Sequence, residues 1–112
     1  MKPTIFEKYL PMTETAYYIL LSLNVPIHGY GIILNVATLT EDRIRIGAGT
    51  IYGTLSKLEK DGLICAAFEE DRRKYYVQTD LGKELLRKEV DRLVELAEHG
   101  KLWRGQYEQA NK

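Results

Sequence analysis

One cysteine, Cys65, is all the thiol this chain has, so no disulfide can close within it and no multi-cysteine zinc site can form. Cys65 sits in an apolar run and is expected to be a small buried hydrophobe. Histidine is almost as scarce. His28 and His99 lie far apart, and no nucleophile–base pair, phosphate-cradling loop or metal-ligand cluster surrounds either. An enzyme is therefore not expected, and neither is a metal or other cofactor. No apolar run approaches the roughly 20 residues of a membrane span. Met1-Lys2-Pro3 is not followed by the apolar core of a signal peptide, which predicts a cytoplasmic protein. Charge of one sign is lacking too. The 16 basic and 16 acidic residues cancel, which argues against a non-specific cationic coat for nucleic acid. A specific binder needs only to group its cations on one surface.

What is present is a folded composition, 45% hydrophobic and 29% charged over 112 residues, enough for one domain with a helical appendage. The chain is organised around Gly47 to Ile64. Ile51, Leu55 and Leu58 fall at i, i+4 and i+7 and share one helical face. Gly49, Gly53, Ser56 and Lys57 make the opposite face small, polar and cationic. Asp61-Gly62 is a helix stop, and Leu63-Ile64 begins a strand. A helix with a flat, hydroxyl-bearing face leading into a strand is the pattern of a recognition helix followed by a wing. The plain alternative is an amphipathic core helix.

The flanking segments complete the pattern. Residues 1–12, with Pro3 and Pro11, form an arm or a short helix broken before Pro11. Thr13 is a suitable N-cap for a helix over Glu14–Leu23, with Ala16, Ile19, Leu20 and Leu23 inward. His28-Gly29-Tyr30-Gly31 opens a second helix, with Tyr30, Ile33, Leu34 and Ala37 as its stripe and His28 as a cap or core-edge group. Arg43 to Ile46 alternates like a short strand pairing with the wing, or like an extended loop. Arg43 and Arg45 then share a face, either solvated or on phosphate. Leu63–Glu69 and Lys74–Gln78 read as a hairpin whose tip carries Arg72, Arg73 and Lys74. Thr79 caps a last helix, with Leu86, Val90, Leu93, Val94 and Ala97 on one face and Leu85 and Leu96 widening it. Gly100 is a plausible stop, followed by a loose tail or short helix. The apolar face predicts a dimer built through that helix.

Three helices closed by a hairpin is a winged helix-turn-helix arrangement in a mainly α (α+β) chain. Residues 1–79 would be the DNA-binding domain, and 80–112 the dimerisation helix and tail. Three blocks then resemble the PadR-like transcriptional regulators. The first is Leu10-Pro11-Met12-Thr13-Glu14 through Leu23 with Pro26-Ile27-His28-Gly29-Tyr30-Gly31. The second is Gly49 through Glu59 with Asp61-Gly62-Leu63-Ile64. The third is Arg72-Arg73-Lys74-Tyr75-Tyr76 with Thr79-Asp80-Leu81-Gly82. The short tail is similar to the branch with a single C-terminal helix. The resemblance implies a dimeric repressor that responds to a small aromatic or stress-related ligand. Two departures stand out. Gln78 occupies a position that is usually apolar, which predicts weaker packing at the hairpin base. Leu93 occupies the place of the ligand-stacking tryptophan of multidrug-binding members, and Trp103 comes about ten residues later.

The functional expectations follow. Gly49, Thr50, Gly53, Ser56 and Lys57 approach the bases and phosphates of double-stranded DNA, with Tyr52 either core or contact. Arg72, Arg73 and Lys74 set register on the backbone, and Tyr30 is a phosphate donor or a core residue. A two-fold dimer predicts a palindromic operator. Tyr17, Tyr18 and Trp103 are the candidates for an aromatic effector at the dimer seam, or else simply core and interface. The alternative is a winged-helix module for ligands or proteins with little DNA affinity, suggested by zero net charge and by the acids beside the wing.

Overall fold

The computed structural model describes residues 4–111; Pro3 and Lys112 lie outside them. The order is α1 (Ile5–Tyr9), α2 (Glu14–Ser22), α3 (Gly29–Leu39), α4 (Ala48–Lys60), β1 (Ile64–Glu70), β2 (Arg73–Gln78) and α5 (Asp80–Ala110). This is the winged helix-turn-helix arrangement expected, mainly helical with a two-stranded antiparallel hairpin. No helix among the described residues is long and apolar enough to cross a membrane.

Side-chain caps start four of the five helices. Thr4, Thr13, His28 and Thr79 each accept from a backbone N–H three residues on, satisfying a donor that has no partner within the helix. The core gathers Ile19, Leu20 and Leu23 from α2, Ile32 and Val36 from α3, and Ile51, Leu55 and Leu58 from α4. Leu63, Ile64 and Leu85 close it. The α3 stripe is rotated from expectation: Gly29, Ile32 and Val36 face inward, while Tyr30 and Leu34 are half exposed. Ile32-Ile33-Leu34 is an unbroken apolar run, so periodicity alone cannot choose its phase. Packing against α4 chooses it.

α3 takes in Leu39, and the connector from there through Ile46 is a loop. Ile44 and Ile46 turn inward and Arg43 and Arg45 outward, without a strand. The segment that pairs with the wing is instead Ile27, which exchanges N–H to carbonyl bonds of 3.0 and 2.9 Å with Tyr76. Pro26 holds that stretch extended ahead of the α3 cap.

Gln78 strengthens the hairpin base rather than weakening it. Its Nε2 donates to the Leu20 carbonyl at 2.7 Å, and its backbone N–H donates to the Leu23 carbonyl at 2.9 Å. The Leu20 carbonyl also accepts from the Leu23 N–H at 3.1 Å, and the buried Gln78 amide adds a second bond that an apolar side chain cannot make. At the next position the Thr79 hydroxyl donates to the Gly62 carbonyl at 2.6 Å, and the Thr79 N–H donates to Leu63 at 3.1 Å. Cys65 is exposed, not buried. Beyond Ile64, β1 leaves the core and projects into solvent, so alternation no longer confers burial.

α5 does not stop at Gly100 but runs unbroken to Ala110. One glycine costs a helix only about 1 kcal/mol relative to alanine, and no proline follows to end it. Leu85 lies in the core of its own chain, and Leu86 is partly buried against that core. From Val94 to Asn111 every residue is exposed.

Candidate nucleic-acid interface

α4 is anchored on one side and bare on the other. Ile51, Leu55 and Leu58 are almost fully buried, while Gly49, Thr50, Tyr52, Gly53, Ser56 and Lys57 are exposed. Burying each aliphatic side chain contributes about 1.5–3 kcal/mol. That outweighs the cost of about 1 kcal/mol for each of the two glycines. A methyl group built on Gly49 or Gly53 meets nothing within 4 Å, so packing does not demand glycine at either position.

Tyr52 resolves toward the surface. Its ring edge lies against Gly29 at the start of α3, where an added Cβ would come within 2.8 Å of Cε1. Gly29 is thus the seat that lets Tyr52 lie between α4 and α3. Tyr30 also faces outward, half exposed. Lys57 sits 5.4 Å over the ring of Tyr9, and the Tyr9 hydroxyl donates to Asp61 at 2.6 Å. Lys8 Nζ reaches the same carboxylate at 3.0 Å. These bonds hold the Asp61 carboxyl below the usual range, while burial and Asp61 push the Tyr9 hydroxyl up. α1 therefore braces the C-terminal end of α4 across a sequence separation that no local pattern reveals.

The hairpin supplies the other wall. Asp71 and Arg72 form its two-residue turn with φ of 52° and 64°, the left-handed pair of a type I′ turn. Across it Glu70 faces Arg73 and Glu69 faces Lys74. A bulge at Ala67 lets Phe68 stack on Tyr75 at 4.5 Å. Tyr30, Tyr52, Arg72, Arg73 and Lys74 then converge with His28 and Tyr76 on one cleft of about 240 Å3. His28 is the residue here that the sequence marked only as a cap or core-edge group. Its Nδ1 does cap α3 at Gly31, and its other ring nitrogen approaches Arg73. Arg43 and Arg45 stay outside the cleft, with Arg43 paired to Glu14 and Arg45 3.8 Å from Asp42.

Within one chain the effector candidates do not converge. Tyr17 and Tyr18, edge to face at 5.6 Å, line a second cleft of about 310 Å3 between α2 and α5, with Met12, Glu14, Glu89 and Leu93. Trp103 stacks on Tyr107 at 5.3 Å, about 15 Å further along α5 than Leu93. Of the dimerisation candidates, Val90 and Leu93 are half-buried, and Val94 and Ala97 are exposed. Glu89, just ahead of Val90, is buried, accepting from the Met12 N–H at 2.7 Å and from Arg92 at 2.5 and 3.1 Å. The Arg92 bonds hold its carboxyl below the usual range against the opposing effect of burial.

A family model described as the transcriptional regulator PadR-like family matches residues 19–88. Two solved structures are similar over about four fifths of the chain. A PadR family transcriptional regulator from Eggerthella lenta is 31% identical over 80% of this chain and 80% of its own, with a TM-score of 0.63. A PadR-like transcription factor from Bacteroides fragilis is 30% identical over 78% of this chain and 86% of its own, at 0.65. A curated relative, an uncharacterised 37.1 kDa protein of transposon Tn4556 from Streptomyces fradiae, is 35% identical over 72 residues. Those residues are 64% of this chain but only 20% of that relative's length.

Proposed function

The chain belongs to the PadR-like family of transcriptional regulators, and from that premise we propose that it is a dimeric, sequence-specific DNA-binding repressor released by a small-molecule effector. The observation that carries the reading is the bare face of α4. It presents Gly49, Thr50, Gly53, Ser56 and Lys57 with Tyr52 exposed at its edge, flanked by the cationic hairpin tip. Gly49 and Gly53 permit close approach in the major groove, and Thr50, Ser56 and Lys57 donate to bases or phosphates. Arg72, Arg73 and Lys74, with Tyr30 and Tyr52 beside them, fix register on the backbone and carry little sequence information. Residues 1–79 form the DNA-binding unit and α5 the dimer seam. Two-fold symmetry then calls for a palindromic operator with half-sites about one DNA turn apart, or a multiple of that.

An anisotropy titration on duplex from the gene's own upstream region, at two salt concentrations and with scrambled competitor, tests this. The expected result is tight binding that resists competitor and weakens steeply with salt. Arg73→Glu is expected to weaken binding to every sequence alike and to flatten the salt dependence. Equal, weak binding to both duplexes would count against the repressor reading.

A further inference from the structure

The two ring nitrogens of His28 have different tasks. Nδ1 accepts from the Gly31 N–H at 3.0 Å as the cap of α3. An accepting nitrogen carries no proton, so the neutral ring holds its hydrogen on Nε2. Nε2 lies 3.3 Å from Nη1 of Arg73. A guanidinium has donors and no acceptor. Two N–H donors thus face each other, and neither satisfies the other. The ring is not free to turn away. The cap holds one edge, and Tyr75 packs against it at 5.0 Å and 87°. Arg73 in turn lies 5.9 Å over the ring of Tyr30. One oxygen placed between them, such as that of a phosphate, accepts from both. Among the described residues the cleft lining includes Arg72 and Lys74 and no carboxylate, so it suits a phosphate and repels no part of it.

We propose that His28 and Arg73 together grip one phosphate of the DNA backbone, with His28 as a neutral donor whose tautomer is set by its capping bond. The proposal rests on the DNA-binding reading above. It adds a contact that a count of cations does not contain.

His28→Asn separates the two tasks of the ring. Asparagine is a strong N-cap, so the variant keeps the bond to Gly31 while removing the Nε2 donor, with no change of charge. On operator duplex it is expected to bind about tenfold or more weakly, since a hydrogen bond to a charged group is lost. Its salt slope should stay that of the wild type, whereas Arg73→Gln should lower the slope by about 1. The double variant should lose less than the product of the two single losses, because both groups serve one phosphate. A methylphosphonate scan should find one neutralised position per half-site at which His28→Asn no longer matters. Wild-type affinity in His28→Asn, or a loss that persists at every methylphosphonate position, would overturn the proposal.

A second arm needs no duplex. Ring nitrogen NMR should show the Nε2–H tautomer, and inorganic phosphate should shift the His28 signals in the wild type but not in Arg73→Gln. An Nδ1–H tautomer, or a ring indifferent to phosphate, overturns the seat whatever the duplex does. A phosphate-sensitive ring in a protein that binds no duplex would defeat the DNA reading and with it the assignment to the DNA backbone, leaving a site for a free anion.

Discussion

A methyl group at Gly82 would stand 2.0 Å from the Leu63 carbonyl oxygen, and that oxygen belongs to backbone that cannot swing aside. Gly82 lies where the first turn of α5 crosses the entry to β1. Gly82→Ala is expected to cost upwards of about 3 kcal/mol, the range of a forced core clash, and to leave little folded protein on a thermal melt followed by circular dichroism. Glu89 sets a second constraint at this scale. Its carboxyl is held below the usual value of 4.5, chiefly by Arg92 and also by the Met12 N–H. A depressed folded-state pKa means that the unfolded chain binds more protons. The stabilisation is therefore complete above pH 4.5 and is lost as pH falls through the folded value. Urea denaturation across pH 7 to 3 should show that fall in the wild type. Glu89→Gln should start less stable at pH 7 and decline less steeply in acid.

At the scale of elements, α4 is a helix whose sequence trades propensity for surface. Gly49 and Gly53 lie in a helix with open space around them. Replacing either with alanine should stabilise the fold by up to about 1 kcal/mol, read as a higher urea midpoint at unchanged slope. The same substitutions should weaken operator binding if this face enters the groove. A gain in stability with undiminished affinity would place the DNA contact elsewhere. The hairpin behaves differently. Its stability comes from its base, where Gln78 and Thr79 bond to α2 and to the end of α4, and its tip is left to solvent.

For the molecule as a whole, the imbalance lies in α5. The body of the chain packs around one core, but the second half of this helix is exposed on every side, with Val94, Leu96, Leu102, Trp103 and Tyr107 all more than half exposed. An isolated helix of such length gains little stability from propensity alone, so its apolar positions call for a partner. A dimer through α5 would make the melting temperature rise with protein concentration. Sedimentation of the wild type should give twice the chain mass. Val94→Asp should shift the equilibrium toward monomer and reduce helicity. A wild type that is monomeric and fully helical at micromolar concentration would overturn the dimer.

The sequence by itself determined the order of elements, three of the four side-chain caps, the buried face of α4 and the cationic tip of the hairpin. Each of these depends on residues within a few positions of one another, through helical spacing, a hydroxyl or imidazole beside an N–H, or a turn between two strands. Tertiary structure alone decided the phase of α3, the pairing of Ile27 with Tyr76, the use of Gln78, the bracing of Asp61 by Tyr9 and the exposure of Cys65. In an unbroken apolar run several faces satisfy the same pattern, and only packing against α4 selects one. A buried amide or an outward tyrosine is explained by a partner on another element, often more than 50 residues away. That partner exists only once the chain has closed on itself, and so does the cleft that brings His28 to Arg73.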